Sequence, residues 1–376
     1  MRGHLKERSP GHWAIILDIH DPQTGKRRRK WHSFRGTKKE ARIEQSRLIT
    51  EMAAGAYVET DRTSLNDFLD RWERDWAATN VSGKTAERYS HLMKHIRPTL
   101  GAKPMQAIRA QDLNALYTSL RDRLAPRTIG HVHRLLHLVF GHATKWGNIK
   151  RNVVALVNAP KVPVTEAPVL QLAEIPQMFD AVRGRSLYPI AVVALGTGMR
   201  RGELCALRWQ DVNLDAATLR VERSLEQTRK SGLRFKEPKS KRGRRTISLS
   251  ATVVAELRKR WAAQQEQRLS LGLGGSPADG LVFADWDGSP LAPDRLSDNF
   301  SNAMAAAGLP HVTLHTLRHT HASQLIRAGV DILTVSRRLG HANATVTLNT
   351  YGHLITGEDK AAEITQTMFI DAGIGQ

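Results

Sequence analysis

The spacing of hydrophobic residues separates a short β-rich start from a long helical remainder. Residues 13–19 and 30–34 have the apolar and aromatic content of two strands, and residues 21–25 supply the turn between them. From Thr37 to about Ala54 the pattern is helical, with Thr37 as the N-cap and Glu40 completing a capping box. This pattern predicts a small β-sheet plus helix module over residues 1–60.

The next hundred residues repeat their apolar positions with a helical period. The first helix of this segment carries one apolar face, formed by Leu65, Phe68, Leu69 and Trp72. Further helices begin near Thr85, Gln111 and Pro126, with short connections between them. Four helices joined in this way predict a compact helical domain over residues 61–160, and the proline-containing residues 159–164 read as a linker.

The third segment, residues 161–376, alternates helical sequence with short strands at residues 219–221 and 245–249. A basic, polar loop at residues 236–244 separates those strands. A Gly- and Pro-rich loop at residues 271–277 precedes a mostly helical remainder. The chain as a whole is therefore predicted to be a multidomain, mainly α protein, with a mixed α/β but mostly α third domain and a C-terminal tail.

Charge and cysteine content narrow the classes of function. The net charge is +20, from 56 Lys+Arg against 36 Asp+Glu in 376 residues, which favours a nucleic-acid partner over a merely basic protein. Cys205 is the single cysteine, so no intrachain disulfide forms, and we expect it to be a buried small hydrophobe. No apolar run approaches the roughly 20 residues of a membrane span, and no signal peptide is apparent, so we expect a soluble, intracellular protein without a membrane partner.

Clustered cations identify candidate DNA contacts. Five stand in succession on the predicted hairpin of the N-terminal module, and one more begins the fourth helix of the helical domain: Lys26, Arg27, Arg28, Arg29, Lys30 and Arg127. A run of this kind is often a solvated turn. Beside aromatic-bearing strands in a basic chain, contact with DNA phosphates is the favoured interpretation.

A second set of residues suggests phosphodiester chemistry. It runs through residues 197–204, 238–241, 315–318 and 339–341 and ends at Tyr351, and it contains arginines, lysines, histidines and one tyrosine. Guanidiniums bind phosphate oxygens, a lysine or histidine can protonate a leaving oxygen, and a tyrosine can accept the phosphoryl group covalently. Glu203, one helical turn after Arg200, is expected to orient a guanidinium or support the helix.

No metal and no cofactor are predicted. His133 and His137 are spaced to meet on one helix face, but no carboxylate or cysteine accompanies them, and the same holds for His315, His319 and His321. Helix-surface or DNA-facing histidines are the favoured interpretation of the first pair.

The order of these residues resembles the tyrosine recombinase (phage integrase) family. The resemblance rests on T-G-x-R-x-x-E-L at residues 197–204, H-x-x-R at 315–318, L-G-H at 339–341 and Tyr351, over Val169–Tyr351. It selects Lys239 as the loop lysine rather than Lys236 or Lys241. It implies that Arg200 and Arg318 bind the phosphate, Lys239 acts as general acid, His315 as candidate base, His341 as phosphate hydrogen-bond donor and Tyr351 as nucleophile.

The resemblance also implies a function and partners. A site-specific DNA recombinase of this family cleaves and rejoins double-stranded attachment-site DNA through a 3′-phosphotyrosyl intermediate, as a homotetramer, to integrate or excise a prophage or mobile element. A DNA-bending host protein and a directionality factor can assist, in the cytoplasm and nucleoid of a bacterial or archaeal cell. Residues 1–60 are similar to an arm-type DNA-binding module, and residues 61–160 to a core-binding, SAM-like domain.

Several alternatives stay open at this point. A chromosome-dimer resolvase of the same family normally lacks the N-terminal module, and a type IB topoisomerase uses similar residues but relaxes DNA as a monomer. A catalytically idle DNA-binding regulator would lose nothing when Tyr351 becomes phenylalanine. The amphipathic residues 358–368 could pack on their own domain or dock on a neighbouring protomer.

Overall fold

The computed structural model describes residues 2–20, 27–54, 57–163, 168–238 and 243–354. Lys26, Lys239 and the predicted tail helix at residues 358–368 lie outside the described residues. The chain divides into two compact units, Met1–Pro163 and Val164–Gln376. The first unit contains both the sheet module and the helical segment, and a domain boundary between them near residue 60 stays a prediction.

The first unit begins with a three-stranded antiparallel sheet and one helix. The strands, in the order β1-β2-β3, and the helix α1 are Arg2–Ser9, His12–His20, Arg27–Arg35 and Lys38–Ala53. The predicted capping box is confirmed, because the Thr37 backbone N–H donates to Glu40 Oε2 at 2.7 Å and Thr37 Oγ1 accepts from the Glu40 backbone N–H at 3.3 Å. Leu48 of α1 covers the buried side chains of Ile15 and Leu17, which form the small core of this module.

The rest of the first unit is helical. Its α-helices α2 to α6 are Leu65–Trp72, Ala78–Asn80, Gly83–Leu100, Ala110–Leu120 and Pro126–Lys145, with a π-helical turn at Glu73–Ala77 and 3₁₀ turns at Met105–Ala107 and Val153–Leu156. The predicted apolar face of α2 is confirmed, since all four of its residues are buried. They pack with Phe140 and Val139 of α6 in one core.

The prediction that His133 lies on a helix surface is wrong. Its side chain is buried in the core face of α6, and its Nδ1 atom lies 3.0 Å from the Tyr117 hydroxyl of α5. His137, one turn later, is exposed. The reason is the helical period of α6, which turns Val132, His133 and Leu136 inward together.

The second unit is a mostly helical domain with two small sheets. Its helices α7 to α14 are Ile175–Val182, Leu187–Thr197, Arg201–Leu204, Ala251–Ser270, Pro293–Ala306, Leu314–Arg327, Ile332–Leu339 and Ala344–Tyr351, with 3₁₀ turns at Leu172–Glu174, Trp209–Asp211 and Gly352–Leu354. The strands β4 to β8 are Val212–Asn213, Thr218–Val221, Ser224–Thr228, Gly232–Lys236 and Arg245–Ser248, arranged as β4-β5-β8 and as the hairpin β6-β7.

The hairpin β6-β7 was not predicted. Strand β6 contains a single apolar residue, Leu225, and the two apolar residues of β7, Leu233 and Phe235, alternate with polar residues over only four positions and are exposed. The predicted mainly α fold is confirmed. Within the described residues, no helix combines the length and the apolar character that a membrane span requires.

Candidate active site

Two helix ends meet in the second unit. Helix α8 ends before Gly198 (φ 66°) and helix α13 ends before Gly340 (φ 65°), each in the left-handed conformation that favours glycine. A Cβ atom on Gly198 would come within 2.7 Å of the His321 ring, so the close packing there also requires glycine. The C-terminal end of a helix carries partial negative charge on its unpaired carbonyls, which favours cations beside it.

Arginines from distant parts of the chain occupy these helix ends. Three consecutive carbonyls at the end of α13 each accept a hydrogen bond from a different arginine: Arg338 O from Arg245 Nε at 2.6 Å, Leu339 O from Arg318 Nη2 at 2.8 Å, and Gly340 O from Arg200 Nη2 at 3.1 Å. At the end of α8, Gly198 O accepts from Arg318 Nη1 at 2.6 Å. The carbonyls at the two helix ends therefore hold three guanidiniums close together. We call Arg200, Arg245 and Arg318 the arginine cluster.

Glu203 supports two members of the arginine cluster. Its Oε1 atom lies 2.9 Å from Arg200 Nη1, and its Oε2 atom lies 2.8 Å from Arg245 Nη2. Burial acts to raise the pKa of Glu203, which is 4% exposed, but the hydrogen bonds and charges of Arg245 and Arg200 outweigh it and lower that pKa overall. Glu203 is therefore a carboxylate that fixes the direction of two guanidiniums.

Arg318 is the most deeply buried cation of the cluster, with 3% of the residue exposed. Burial and, next, the charge of Arg200 lower its pKa. A guanidinium nevertheless keeps its proton in proteins, and the two carbonyl bonds use two of its five N–H donors. The remaining donors suit the non-bridging oxygens of a phosphate.

Tyr351 ends helix α14 inside a small apolar cluster, with 2% of the residue exposed. It packs with Val335 and Leu339 of α13. Its hydroxyl oxygen lies 2.6 Å from Nδ1 of His319. Burial raises the pKa of Tyr351 to about 12, and the charge of Arg318 acts in the opposite direction.

Three histidines surround this tyrosine and the arginine cluster. The rings of His315 and His319, one turn apart on α12, meet edge to face with centroids 4.5 Å apart. His341 Nδ1 lies 2.7 Å from Thr347 Oγ1, and the backbone N–H of His341 donates to Ser336 O, which completes the C-terminal cap of α13. Burial and neighbouring cations lower the pKa values of His319 and His341 to about 4, so both rings are neutral at pH 7.

The structure brings together most of the predicted site residues. Five of them lie around the two helix ends: Arg200, His315, Arg318, His341 and Tyr351. It is His319, rather than the predicted base His315, that lies within hydrogen-bond distance of Tyr351. Sequence reasoning also missed Arg245. His319 was detectable, because it lies four residues after His315 on the same helix face, whereas no local pattern distinguishes Arg245 from other cations.

The predicted DNA contacts lie in the first unit. Arg27 and Arg28 belong to β3, where Arg29 Nε lies 3.4 Å from Asp18 and Lys30 Nζ lies 3.0 Å from Glu59. Arg127 is exposed at the start of α6. Their contact with DNA stays a prediction. No group of three or more potential metal ligands occurs within the described part of the chain.

Comparison with known proteins identifies the family. Residues 165–357, more than half of the chain, match the profile of the phage integrase family. The chain belongs to the phage integrase family. Residues 64–121 of this family member also match the profile of the phage integrase N-terminal SAM-like domain.

Relatives of this integrase-family chain extend over nearly its whole length. A tyrosine recombinase XerC-like protein of Caldanaerobacter subterraneus subsp. tengcongensis is 26% identical, over 96% of this chain and 97% of the relative. An integrase of Streptomyces ambofaciens is 29% identical, over 90% of this chain and 88% of the relative. The similarity therefore covers both compact units.

Solved structures share the fold. The integrase of transposon Tn1549, solved in complex with a circular intermediate DNA, superposes with a TM-score of 0.67 at 21% identity, over 81% of this chain and 99% of that structure. A lambda integrase tetramer bound to a Holliday junction gives a TM-score of 0.59 at 23% identity, over 95% of this chain and 97% of that structure.

Proposed function

We propose that this chain is a site-specific DNA recombinase that integrates or excises a prophage or another mobile element, with Tyr351 as its nucleophile. Membership in the phage integrase family and relatives named integrase support this function. One observation carries it. Tyr351 is the last residue of α14, and its hydroxyl lies within hydrogen-bond distance of His319. Beside it lies the arginine cluster, which the carbonyls of two helix ends and the Glu203 carboxylate hold in place.

The proposed reaction follows from these groups. Arg200 and Arg318 bind the non-bridging oxygens of the scissile phosphate and stabilise the charge that develops there. Tyr351 Oη attacks phosphorus, a 3′-phosphotyrosyl bond forms, and the bond to the 5′ oxygen breaks while Lys239 donates a proton to that oxygen. The new ester retains the energy of the broken phosphodiester, so a 5′-hydroxyl of another strand can reverse the step without ATP. His315 and His341 would act beside the bound phosphate.

The free protein holds the nucleophile in a resting form. With a pKa of about 12, forming the phenolate at pH 7 costs about 7 kcal/mol, and the residue is almost completely covered. DNA binding must therefore uncover Tyr351 and lower the free energy needed to remove its proton. This form suits an enzyme that cleaves only at a fully assembled site.

The proposed partners are DNA and further copies of the chain. The net charge of +20 supports phosphate binding, with the cations of β3 and Arg127 as candidate contacts. By analogy with the lambda integrase tetramer on a Holliday junction, four copies would act on paired attachment sites. A DNA-bending host protein and a directionality factor would assist them, and a protein acting on chromosomal sites would work on the nucleoid of a bacterial or archaeal cell.

The function is tested with a nicked suicide duplex that carries the element's candidate core site. The wild-type protein should yield a slower band of covalent protein–DNA complex on a denaturing gel, and Tyr351→Phe should yield none. Tyr117→Phe is the matched control, since it removes the hydroxyl of a tyrosine that also bonds a histidine. Equal behaviour of wild type and Tyr351→Phe would indicate a DNA-binding regulator, and plasmid relaxation without strand exchange would indicate a topoisomerase.

A further inference from the structure

The geometry points to a role for His319 that the family resemblance did not include. We propose that His319 Nδ1 takes the proton from Tyr351 during strand cleavage and returns it during rejoining. The inference rests on the proposed function, because it concerns the same reaction. It assigns the proton acceptor to a residue of α12 that lies one turn beyond His315.

Contact distance selects His319 among the candidate bases. In the described part of the chain, His319 is the residue within hydrogen-bond distance of the Tyr351 hydroxyl, at 2.6 Å. His341 Nδ1 is engaged with Thr347 Oγ1 at 2.7 Å. His315 is exposed and packs edge to face with the His319 ring, with which it makes its aromatic contact on α12.

The direction of the hydrogen bond follows from the charges around it. Burial, then His315 and Arg318, lower the pKa of His319 to about 4, so the ring is neutral at pH 7 and one of its nitrogens carries a free lone pair. Burial raises the pKa of Tyr351 to about 12, so the phenol keeps its proton. With the ring proton of His319 on Nε2, which is the tautomer that the proposal requires, Tyr351 donates and His319 Nδ1 accepts.

A bound phosphate would change the affinity of His319 for that proton. The charge of Arg318 is one of the causes that lower the pKa of His319. A phosphate anion on Arg200 and Arg318 offsets this positive potential, so the pKa of His319 rises when the substrate binds. The acceptor thus strengthens at the moment when the phenol must lose its proton.

The proposed step balances in atoms and charge. As the Tyr351 Oη–phosphorus bond forms, the Oη proton moves to His319 Nδ1 and the phosphorus–O5′ bond breaks. The 5′ oxygen takes a proton from a separate acid, for which Lys239 is the candidate. In rejoining, the 5′-hydroxyl attacks phosphorus, its proton returns to that acid, and the proton on His319 returns to Oη.

The test measures single-turnover cleavage of the suicide duplex from pH 5 to pH 9 for wild type and His319→Gln. General-base catalysis is worth about 10²–10⁴-fold, so we expect a loss of that size on the plateau at high pH. We also expect the wild-type rate to rise with pH through one inflection that is missing in the variant. A merely structural role would lower the rate by the same factor at every pH, and that result, or a rate within threefold of wild type, overturns the proposal.

A second substrate separates proton acceptance from proton donation. A duplex with sulfur in place of the 5′ bridging oxygen has a leaving group that needs no proton. The His319→Gln defect should persist on this duplex, because the phenol still has to be deprotonated. Restoration of the wild-type rate by sulfur would assign His319 to the leaving group and overturn the proposal.

Controls distinguish this inference from the proposed function and from misfolding. His133→Gln alters the histidine of the equivalent pair in the first unit and should leave the rate and pH profile of bound complexes unchanged. Nitrogen-15 spectra of the histidine rings test the inference in the wild-type protein, without any substitution, because they show which ring nitrogen carries the proton. A proton on His319 Nδ1 rather than Nε2 contradicts the inference. If wild type forms no Tyr351-dependent complex, the proposed function fails; if it does and His319→Gln matches it, only the inference fails.

Discussion

The chain contains two tyrosine–histidine pairs with the same local chemistry and different surroundings. In the first unit, the Tyr117 hydroxyl lies 3.0 Å from His133 Nδ1, between helices α5 and α6. In the second unit, the Tyr351 hydroxyl lies 2.6 Å from His319 Nδ1, between helices α14 and α12. Both tyrosines are buried, and both histidines belong to the longer helix of the pair.

The difference lies in the charges around the phenol. For Tyr117, burial raises the pKa, and no cation among the described residues acts against it. For Tyr351, burial is opposed by Arg318, which belongs to a cluster of guanidiniums anchored on helix carbonyls. A tyrosine–histidine hydrogen bond without nearby cations is thus a contact within the core. The same hydrogen bond beside a cluster that can bind phosphate places a nucleophile next to its proton acceptor.

The largest effect on this difference between the two tyrosines is expected from removing the carboxylate of Glu203, which orients the arginine cluster. Glu203→Gln leaves the buried guanidinium of Arg245 without a counter-charge and also removes the partner of the half-buried Arg200, so we expect a loss of about 3–5 kcal/mol in the free energy of unfolding. Chemical denaturation monitored by circular dichroism measures it. Wild-type stability in this variant would show that the helix carbonyls alone hold the cluster.

Replacing Arg318, whose charge acts on the Tyr351 phenol, tests whether the donor geometry of the cluster matters as well as its charge. Arg318→Lys keeps a positive charge but cannot reach both Gly198 O and Leu339 O while binding a phosphate oxygen. Loss of one preorganised donor costs about 10²–10³-fold, and we expect that loss in single-turnover cleavage with unchanged DNA binding in a gel-shift assay. A variant that cleaves as fast as wild type would contradict the assignment of Arg318 to the phosphate.

The neutral histidines of the site should make its stability sensitive to acid. His321 donates from Nδ1 to Leu195 O and accepts at Nε2 from Arg338, and burial lowers its pKa to about 4. The unfolded chain, with a histidine pKa near 6.5, binds more protons than the folded chain between pH 6.5 and 4, so stability is lost as the pH falls through that window. From this residue alone we expect a loss of about 2 kcal/mol between pH 6.5 and 5.

Denaturation curves of wild type and His321→Gln at pH 7 and pH 5 measure this contribution. The variant should be less stable at pH 7 and should lose less stability on acidification. An identical pH dependence in the two proteins would mean that His321 titrates normally in the fold.

The smallest expected effect is the loss of folding stability when either phenol hydroxyl is removed. Tyr117→Phe and Tyr351→Phe each remove the partner of a histidine nitrogen, which is buried in His133 and half-buried in His319, and each loss costs about 1 kcal/mol. The two variants should therefore have similar unfolding midpoints, while only Tyr351→Phe loses the covalent DNA complex. If Tyr351→Phe were much less stable than Tyr117→Phe, its loss of cleavage could be explained by misfolding. That result would contradict the expected separation of stability from cleavage in the two variants.

The sequence alone determined most of the helices, some of the strands and most members of the candidate site. The helical period gave the buried face of α2, and the Thr37–Glu40 spacing gave the cap of α1, because both depend on neighbours within one or two turns. The ordered motifs from Arg200 to Tyr351 suggested the family for a similar reason, since the order of residues is itself a property of the chain.

Only the tertiary structure decided which side chains meet. The placement of Arg245 against Glu203, and of three arginines on successive carbonyls of α13, joins segments up to 140 residues apart, and no local pattern encodes such contacts. The same limit explains why His133 was misplaced and why His315 was favoured over His319. The choice between two histidines one turn apart depends on where a tyrosine from another helix packs, and that is fixed by the core rather than by spacing.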